Sequence, residues 1–243
     1  AGVACVKGQQ GDSWKREPSY SRKIDRSLVQ TNELSYVPRD MDTHSIVTVG
    51  KTVPDFSLDT YDPNTKDFGS YSLAEAKKAG KWTLLMFYPA DFTFVCATEF
   101  AALAEQHAAL KEVGYEVLSV SCDTKFTHLA WQQHEGELSG ISYPMGSDPT
   151  GKLARTLGIY LEDAGVALRG TFLINPEGRL VSSEINELNV GRNMEELTRK
   201  ATAFVHFSKL PAEACPASWK KAGDKSLKPG AGLVGKVSEA MKG

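Results

Sequence analysis

The residue best suited to chemistry is Cys96, which lies between an apolar run and a stretch with helical spacing. The run 81–88 is β-prone and of strand length, so it predicts a buried strand. After the cysteine, apolar residues recur at the three- and four-residue spacing of a helix. The sequence therefore places one thiol in the first turn of a helix, where unpaired backbone N–H groups and the helix dipole favour a thiolate.

Thr93 stands three residues before the cysteine, at the position of a helix N-cap. Its hydroxyl is predicted to cap the first turn, with Cys96 at the position where a capping box has its acceptor. A lone cysteine is more often a small buried hydrophobe than a nucleophile. The spacing Pro89-x-x-x-Thr93-x-x-Cys96 at a strand-to-helix junction favours the nucleophile here.

Composition indicates an ordinary globular protein and excludes two classes of partner. The chain has 243 residues, 41% of them hydrophobic and 24% charged, with a net charge of −2. This length predicts one catalytic domain with extensions rather than two full domains. We find no basic block and no long apolar stretch, so we predict neither a nucleic-acid nor a membrane partner.

The cysteine pattern indicates a reducing compartment, because the residues Cys5, Cys96, Cys122 and Cys215 are too few and too dispersed for a disulfide scaffold. We predict a cytoplasmic protein; the chain begins at Ala1, which leaves a processed organellar or exported form open. Cys122, at a strand end, is expected to pack as a small hydrophobe, and Cys5 to be an incidental thiol. His128 and His134 are spaced poorly for a shared metal, so no metal site is predicted.

The middle of the chain alternates strands and helices, which predicts an α/β sheet. Residues 1–46 are polar and aperiodic, and we expect an extension that is poorly structured or packed against a partner. Residues 47–208 form the predicted domain, and 209–243 a loosely held C-terminal arm that contains Cys215. The predicted strands are 55–61, 81–88, 116–121, 170–175 and 180–187, and the predicted helices are 96–113, 125–134, 150–157 and 193–207.

Several ordered motifs resemble those of one known family. The segment 87–99 closely resembles the active-site signature of typical two-cysteine peroxiredoxins, in particular the alkyl hydroperoxide reductase C branch. The resemblance extends from about residue 49 to about residue 237 and recurs in the segments 49–56, 123–131, 169–172, 190–192 and 213–216. It implies a thioredoxin-like fold of the peroxiredoxin variant, with a central mixed sheet and helices on both faces.

The resemblance also implies roles for residues around the thiol. Cys96 would attack a peroxide, Thr93 would hydrogen-bond that peroxide, and Pro89 would keep water from the sulfur. Arg169 matches the arginine of the family's site, and a guanidinium suits the role because it stays charged and offers a fork of donors.

Glu99 and Arg192 match residues that support this site in the family. Cys215 matches the resolving cysteine, which comes from the partner subunit and forms a disulfide with Cys96. From the residues alone, Cys215 is only a thiol in a mobile arm that could move to meet a buried sulfenic acid.

The predicted function is therefore a thiol peroxidase for hydrogen peroxide or alkyl hydroperoxides, without a cofactor. We find no nucleotide fingerprint, so electrons would come from an external disulfide reductase or thioredoxin-like protein. A homodimer is expected, assembling into a ring of dimers. Two alternatives remain open: a peroxide-switched holdase chaperone or redox sensor, and a one-cysteine peroxidase that does not use Cys215.

Two departures from the family pattern bear on the cycle. Ala97 stands where the signature often has proline. We find neither a Gly-Gly-Leu-Gly run, since residues 136–140 read Gly-Glu-Leu-Ser-Gly, nor a Tyr-Phe pair near the C-terminus. In the family these elements hold the site folded, so we hypothesise that this protein resolves its sulfenic acid quickly and resists overoxidation.

Overall fold

The computed structural model describes residues 46–242. These residues form the strands β1 (Ser57–Asp62), β2 (Asp67–Ser72), β3 (Trp82–Phe87), β4 (Tyr115–Ser121), β5 (Met145–Ser147), β6 (Tyr160–Leu161), β7 (Val166–Ala167), β8 (Arg169–Ile174) and β9 (Leu180–Asn186). The helices are α1 (Leu73–Lys78), α2 (Phe94–Glu112), α3 (Lys125–His134), α4 (Lys152–Thr156), α5 (Met194–Ser208) and α6 (Val237–Lys242). None of the helices in this part of the chain is both long and apolar enough to cross a membrane.

Seven strands form one mixed sheet in the order β2-β1-β5-β4-β3-β8-β9, and β6 pairs with β7 separately. Strand β4 is parallel to β3 and to β5, whereas β8 is antiparallel to β3 and to β9. Every residue of β3 and of β8 is buried. Because β3 and β8 run in opposite directions, the C-terminal end of β3 and the N-terminal end of β8 lie side by side at the same end of the sheet.

Alternate residues of β3 face two separate hydrophobic cores. Leu84 and Met86 pack with residues of α2, α3 and α5 on one face, and Leu85 and Phe87 pack with residues of α1 and α4 on the other. This alternation is the period of two of a strand buried on both faces. The predicted mixed sheet with helices on both faces is confirmed.

All the predicted strands and helices are present, with ends that differ by up to two residues. Asn193 caps α5, since its side chain accepts a hydrogen bond from the backbone N–H of Glu196. Sequence analysis missed β2, whose residues are mostly exposed and carry no alternating apolar pattern, and β5, which has only three residues. It also missed the short elements α1, β6, β7 and α6.

One residue of the C-terminal arm, Trp219, is buried against α5. Trp219 is buried against the rings of His206 and Phe207 in α5, and its carbonyl accepts a hydrogen bond from Arg199 Nη1 at 2.9 Å. Cys5 and the rest of 1–45 lie outside the described residues.

Candidate active site

Cys96 lies in the first turn of α2, after the loop that follows β3, as its sequence context predicts. The helix begins two residues earlier than predicted, at Phe94, and Cys96 is completely buried. Pro89, which follows β3, is buried as well. The loop that joins β3 to α2 therefore places the thiol at the buried, positive end of a long helix.

Thr93 is the N-cap residue of α2, but its side chain does not cap the helix. Its hydroxyl donates instead to the carbonyl of Ala90 at 2.7 Å, so the predicted capping hydrogen bond is wrong. The loop turns at this point and brings that carbonyl within reach, so the hydroxyl stabilises the turn instead of capping the helix. The N–H of Ala97 donates to the Thr93 carbonyl at 3.3 Å, a bond that proline at this position could not make.

Arg169 contacts the thiol directly, because it is the first residue of β8 and β8 starts where β3 ends. Its Nη1 lies 3.3 Å from Cys96 Sγ and 2.7 Å from Glu99 Oε2. Its Nε donates to the carbonyl of Leu188 at 2.7 Å. The guanidinium is therefore fixed on two sides while one of its N–H groups remains directed at the sulfur.

Glu99 joins two arginines from one turn further along α2 and is 2% exposed. One carboxylate oxygen accepts from Arg169 Nη1 at 2.7 Å and from Arg192 Nη2 at 2.8 Å. The other accepts from Arg192 Nε at 2.8 Å and from the Arg192 backbone N–H at 2.9 Å. Arg192 Nη1 completes the arrangement by donating to the carbonyl of Gly170 at 3.0 Å.

This cluster carries a net positive charge beside the sulfur, because two guanidinium groups share one carboxylate. Burial raises the pKa of Glu99, but the hydrogen bonds and charge of Arg192, together with the charge of Arg169, outweigh it and hold the pKa below its ordinary value. Glu99 is therefore ionised at neutral pH and neutralises only one of the two guanidinium groups. An anionic sulfur at Cys96 would balance the other.

A second buried polar cluster anchors the loop before α2, and sequence analysis missed it. Asp91 accepts from the hydroxyl of Tyr88 at 2.7 Å, and its other oxygen lies 2.8 Å from Nδ1 of His128. Nε2 of His128 lies 3.1 Å from the carbonyl of Gly146 in β5. Burial raises the pKa of Asp91 above its ordinary value. The sequence signal was weak: an acidic residue in the loop that follows a buried strand.

Cys215 lies at the opposite end of the sheet from Cys96. It is exposed and lines an apolar groove with Trp82, the first residue of β3, and with Asn175, just past the end of β8. Cys96 lies beyond the other end of β3, and a strand of six residues spans about 20 Å. A disulfide needs Cα atoms within about 7 Å, so these two thiols of one chain do not meet in this arrangement.

The remaining described thiol is Cys122, which is partly buried. Burial, together with the charges of Asp148 and Asp123, raises its pKa to about 11, so it is a poor nucleophile at neutral pH. Within residues 46–242 no group of three or more histidine, cysteine or acidic side chains is placed to hold a metal ion.

Comparisons with known proteins identify the family. The sequence profile of the AhpC/TSA family matches residues 49–183. Alkyl hydroperoxide reductase C of Staphylococcus epidermidis is 40% identical over 189 residues, which cover 78% of this chain and 98% of that protein. The corresponding protein of Staphylococcus haemolyticus is 41% identical over the same length.

Solved structures agree in fold. The crystal structure of Enterococcus faecalis AhpC has a TM-score of 0.66 and 39% identity, covering 70% of this chain and 100% of that chain. The reduced 2-Cys peroxiredoxin of Plasmodium vivax has a TM-score of 0.72 and 34% identity, covering 78% of this chain and 98% of that chain. The predicted thioredoxin-like fold of the peroxiredoxin variant is confirmed, and the chain belongs to the AhpC/TSA family.

Proposed function

We propose that the protein is a thiol peroxidase in which Cys96 reduces hydrogen peroxide or an alkyl hydroperoxide. The single observation that supports this most strongly is the 3.3 Å contact between Arg169 Nη1 and Cys96 Sγ. A buried sulfur with a fixed guanidinium against it has both a partner for its negative charge and a donor for the bond that must break. The family membership points to the same activity.

In the first step the Cys96 thiolate attacks one oxygen of the peroxide. The O–O bond breaks, the leaving oxygen takes a proton to become water or an alcohol, and the sulfur becomes a sulfenic acid. Arg169 would stabilise the charge that develops on the leaving oxygen, and Thr93 would orient the peroxide through its hydroxyl. Pro89 is buried next to this loop and offers no N–H, which suits a residue that excludes water.

In the second step the Cys215 thiol attacks the sulfenic sulfur, a disulfide forms and water leaves. The distance of about 20 Å between the ends of β3 favours a Cys215 from a partner subunit over one from the same chain. A homodimer with two intersubunit disulfides follows. The protein has no nucleotide fingerprint in its sequence, so an external disulfide reductase or thioredoxin-like protein would restore the two thiols.

Exposed aromatic side chains offer a candidate surface for the expected contact between dimers. Phe94 is 92% exposed and Phe126 is 63% exposed, and Phe126 packs edge-on against the partly exposed ring of Phe68. Aromatic side chains are enriched at contact surfaces between proteins, so the exposed pair of Phe68 and Phe126 is the candidate surface. Replacing Phe126 with serine should shift the sedimentation coefficient of the reduced protein toward that of a dimer, whereas an unchanged coefficient would argue against this surface.

A cytoplasmic location is consistent with the thiols. The three described cysteines are free, and a cycle that opens and closes a disulfide needs a compartment that supplies reductant. No observation favours the holdase or sensor alternative over peroxide reduction.

Peroxide consumption in the presence of dithiothreitol tests the function. The wild type should turn over micromolar peroxide, Cys96→Ser should abolish turnover, and Cys122→Ser should retain it as a matched control. Loss of turnover in both variants, or in neither, would contradict the assignment of Cys96 as the nucleophile.

Non-reducing gel electrophoresis tests the second step. After one equivalent of peroxide, the wild type should migrate as a covalent dimer, and Cys215→Ser should remain monomeric. If Cys215→Ser still forms the dimer, another thiol resolves Cys96. If the wild type stays monomeric while consuming peroxide, the one-cysteine mechanism applies.

A further inference from the structure

The loop 90–93, which leads from β3 into α2, contains a residue in an unfavourable backbone conformation. Phe92 has φ +56°, in the left-handed region that side chains with a Cβ seldom occupy. Phe92 is 56% exposed. Its ring lies tilted against the ring of Trp131, with 6.3 Å between the ring centroids. Such limited packing does little to offset the strain, so other contacts must hold the loop in this shape.

The residue before Phe92 supplies one of those contacts. The backbone N–H of Asp91 donates to Oδ2 of Asp123 at 2.9 Å. Asp123 follows β4, which is the parallel neighbour of β3, so the ends of the two strands bring the loop and this carboxylate together.

Asp123 is itself fixed by side chains from two neighbouring strands, β4 and β5. Its Oδ2 also accepts from the hydroxyl of Ser121 at 2.7 Å, and its carbonyl accepts from the hydroxyl of Ser147 in β5 at 2.5 Å. The carboxylate is therefore a rigid acceptor for the loop, and no step of the chemistry described above uses it.

We propose that Asp123 is a positioning residue whose carboxylate holds the loop 90–93, with Phe92 strained, in the conformation that keeps Cys96 in its helical turn. The proposal rests on the proposed function, because a buried Cys96 must leave that turn before another thiol can reach it. The bond to Asp123 favours the folded site, and the strain at Phe92 favours the unwound site. Together they set how long the sulfenic acid of Cys96 persists before another thiol attacks it.

Two pairs of variants separate the two contributions. Phe92→Ala removes the ring and keeps a Cβ at positive φ, whereas Phe92→Gly removes the ring and also the strain. The difference between them reports the backbone alone. Asp123→Ala removes the acceptor, and Asp123→Asn keeps an oxygen that can still accept from Asp91, so it should restore most of the wild-type behaviour.

The test measures unwinding in the reduced protein without any peroxide. Cys96 is completely buried, so a bulky maleimide reaches it only when the turn opens, and mass spectrometry of the Cys96 peptide gives the labelling rate. We expect Asp123→Ala to label about tenfold faster than the wild type, since it leaves a buried donor without a partner. Phe92→Gly should label about fivefold more slowly than Phe92→Ala.

A second measurement connects unwinding to the cycle. At rising peroxide, the ratio of sulfinic acid to disulfide at Cys96 should be lower in Asp123→Ala than in the wild type, and higher in Phe92→Gly than in Phe92→Ala. Hydrogen exchange of the α5 amides is the control, because general loosening would accelerate them along with the loop.

Equal labelling within both pairs would overturn the proposal, and so would Asp123→Ala accelerating α5 exchange as much as Cys96 labelling. If Asp123→Ala fails to fold, Asp123→Asn decides, because its neutral amide oxygen accepts more weakly than a carboxylate and should still raise the labelling rate of Cys96 measurably above that of the wild type. Failure of the proposed function would show differently, as wild-type protein that labels as expected but forms no disulfide with peroxide.

Discussion

Replacing Glu99 with glutamine is the most direct test of the charge arrangement beside Cys96. The carboxylate accepts four hydrogen bonds from two guanidinium groups and one backbone N–H, at 2.7 to 2.9 Å, and is 2% exposed. Glutamine keeps one acceptor oxygen and turns the other into an amide that faces arginine donors. Breaking one partner of a buried ion pair costs about 3–5 kcal/mol, because the remaining charge stays buried.

That cost should be visible in the free energy of unfolding. With a urea dependence of about 2 kcal/mol per molar, the midpoint of Glu99→Gln should fall by about 2 M relative to the wild type. Circular dichroism during urea titration, with dithiothreitol and at one protein concentration, measures it. Glu196→Gln is the matched control, since Glu196 pairs with Arg199 at the surface and its loss should change stability by less than about 1 kcal/mol. Equal midpoints for the two variants would refute the view that Glu99 holds the cluster together.

Four further predictions concern the same site and its surroundings. Arg169→Lys should lower kcat/KM for peroxide about 100-fold in stopped-flow assays, because a lysine cannot contact Leu188, Glu99 and the sulfur at once; a fall below about threefold would contradict the assigned role. Cys122 should be alkylated at pH 8 at least about tenfold more slowly than free cysteine, since burial raises its pKa to about 11. The pKa of Glu99 is lowered in the folded state, so its stabilisation is present above the unfolded value of about 4.3 and is lost as pH falls through the lower, folded value. The stability difference between wild type and Glu99→Gln should therefore shrink below about pH 4, and a constant difference would argue against it. Finally, the absence of Gly-Gly-Leu-Gly and Tyr-Phe elements predicts that dilute hydrogen peroxide leaves Cys96 free of sulfinic acid over the first turnovers, which mass spectrometry can check.

The position of Cys96 could be predicted from sequence because its determinants are local. A buried strand and a helix lie close together along the chain, joined by one short loop, and their sequence patterns are clear. Arg169 is different, since nothing in its own neighbourhood indicates a site. It reaches Cys96 because β8 runs antiparallel to β3, a pairing that the sequence analysis did not predict. Only the match to the family's arginine pointed to Arg169.

The anchors of the loop could not be predicted, because they depend on which strand ends meet. Asp91 and His128 are 37 residues apart, and Asp91 and Asp123 are 32 apart. Each of the two aspartates follows a buried strand, and only the parallel pairing of β3 and β4 brings them together. The Thr93 side chain was mispredicted for a related reason. Its hydroxyl had two acceptable partners, and the loop conformation, which the local sequence does not determine, decided between a helix N–H and the Ala90 carbonyl.

The two polar clusters near Cys96 have different roles: one supplies charge beside the sulfur, and the other fixes the conformation of the loop before α2. The cluster of Arg169, Arg192 and Glu99 leaves one positive charge uncompensated, and this charge favours an anionic sulfur and an oxyanion leaving group. Its members come from β8, α2 and the segment before α5, so it stays in place if only the loop unwinds. The contacts of Asp91 and Asp123 hold the loop itself. The proposed cycle needs both properties to vary independently, because its first step places the sulfur beside Arg169 and its second step requires the sulfur to leave that position. Variants of the charge cluster should therefore change mainly the rate of peroxide reduction, and variants of the loop anchors mainly the partition between disulfide and sulfinic acid.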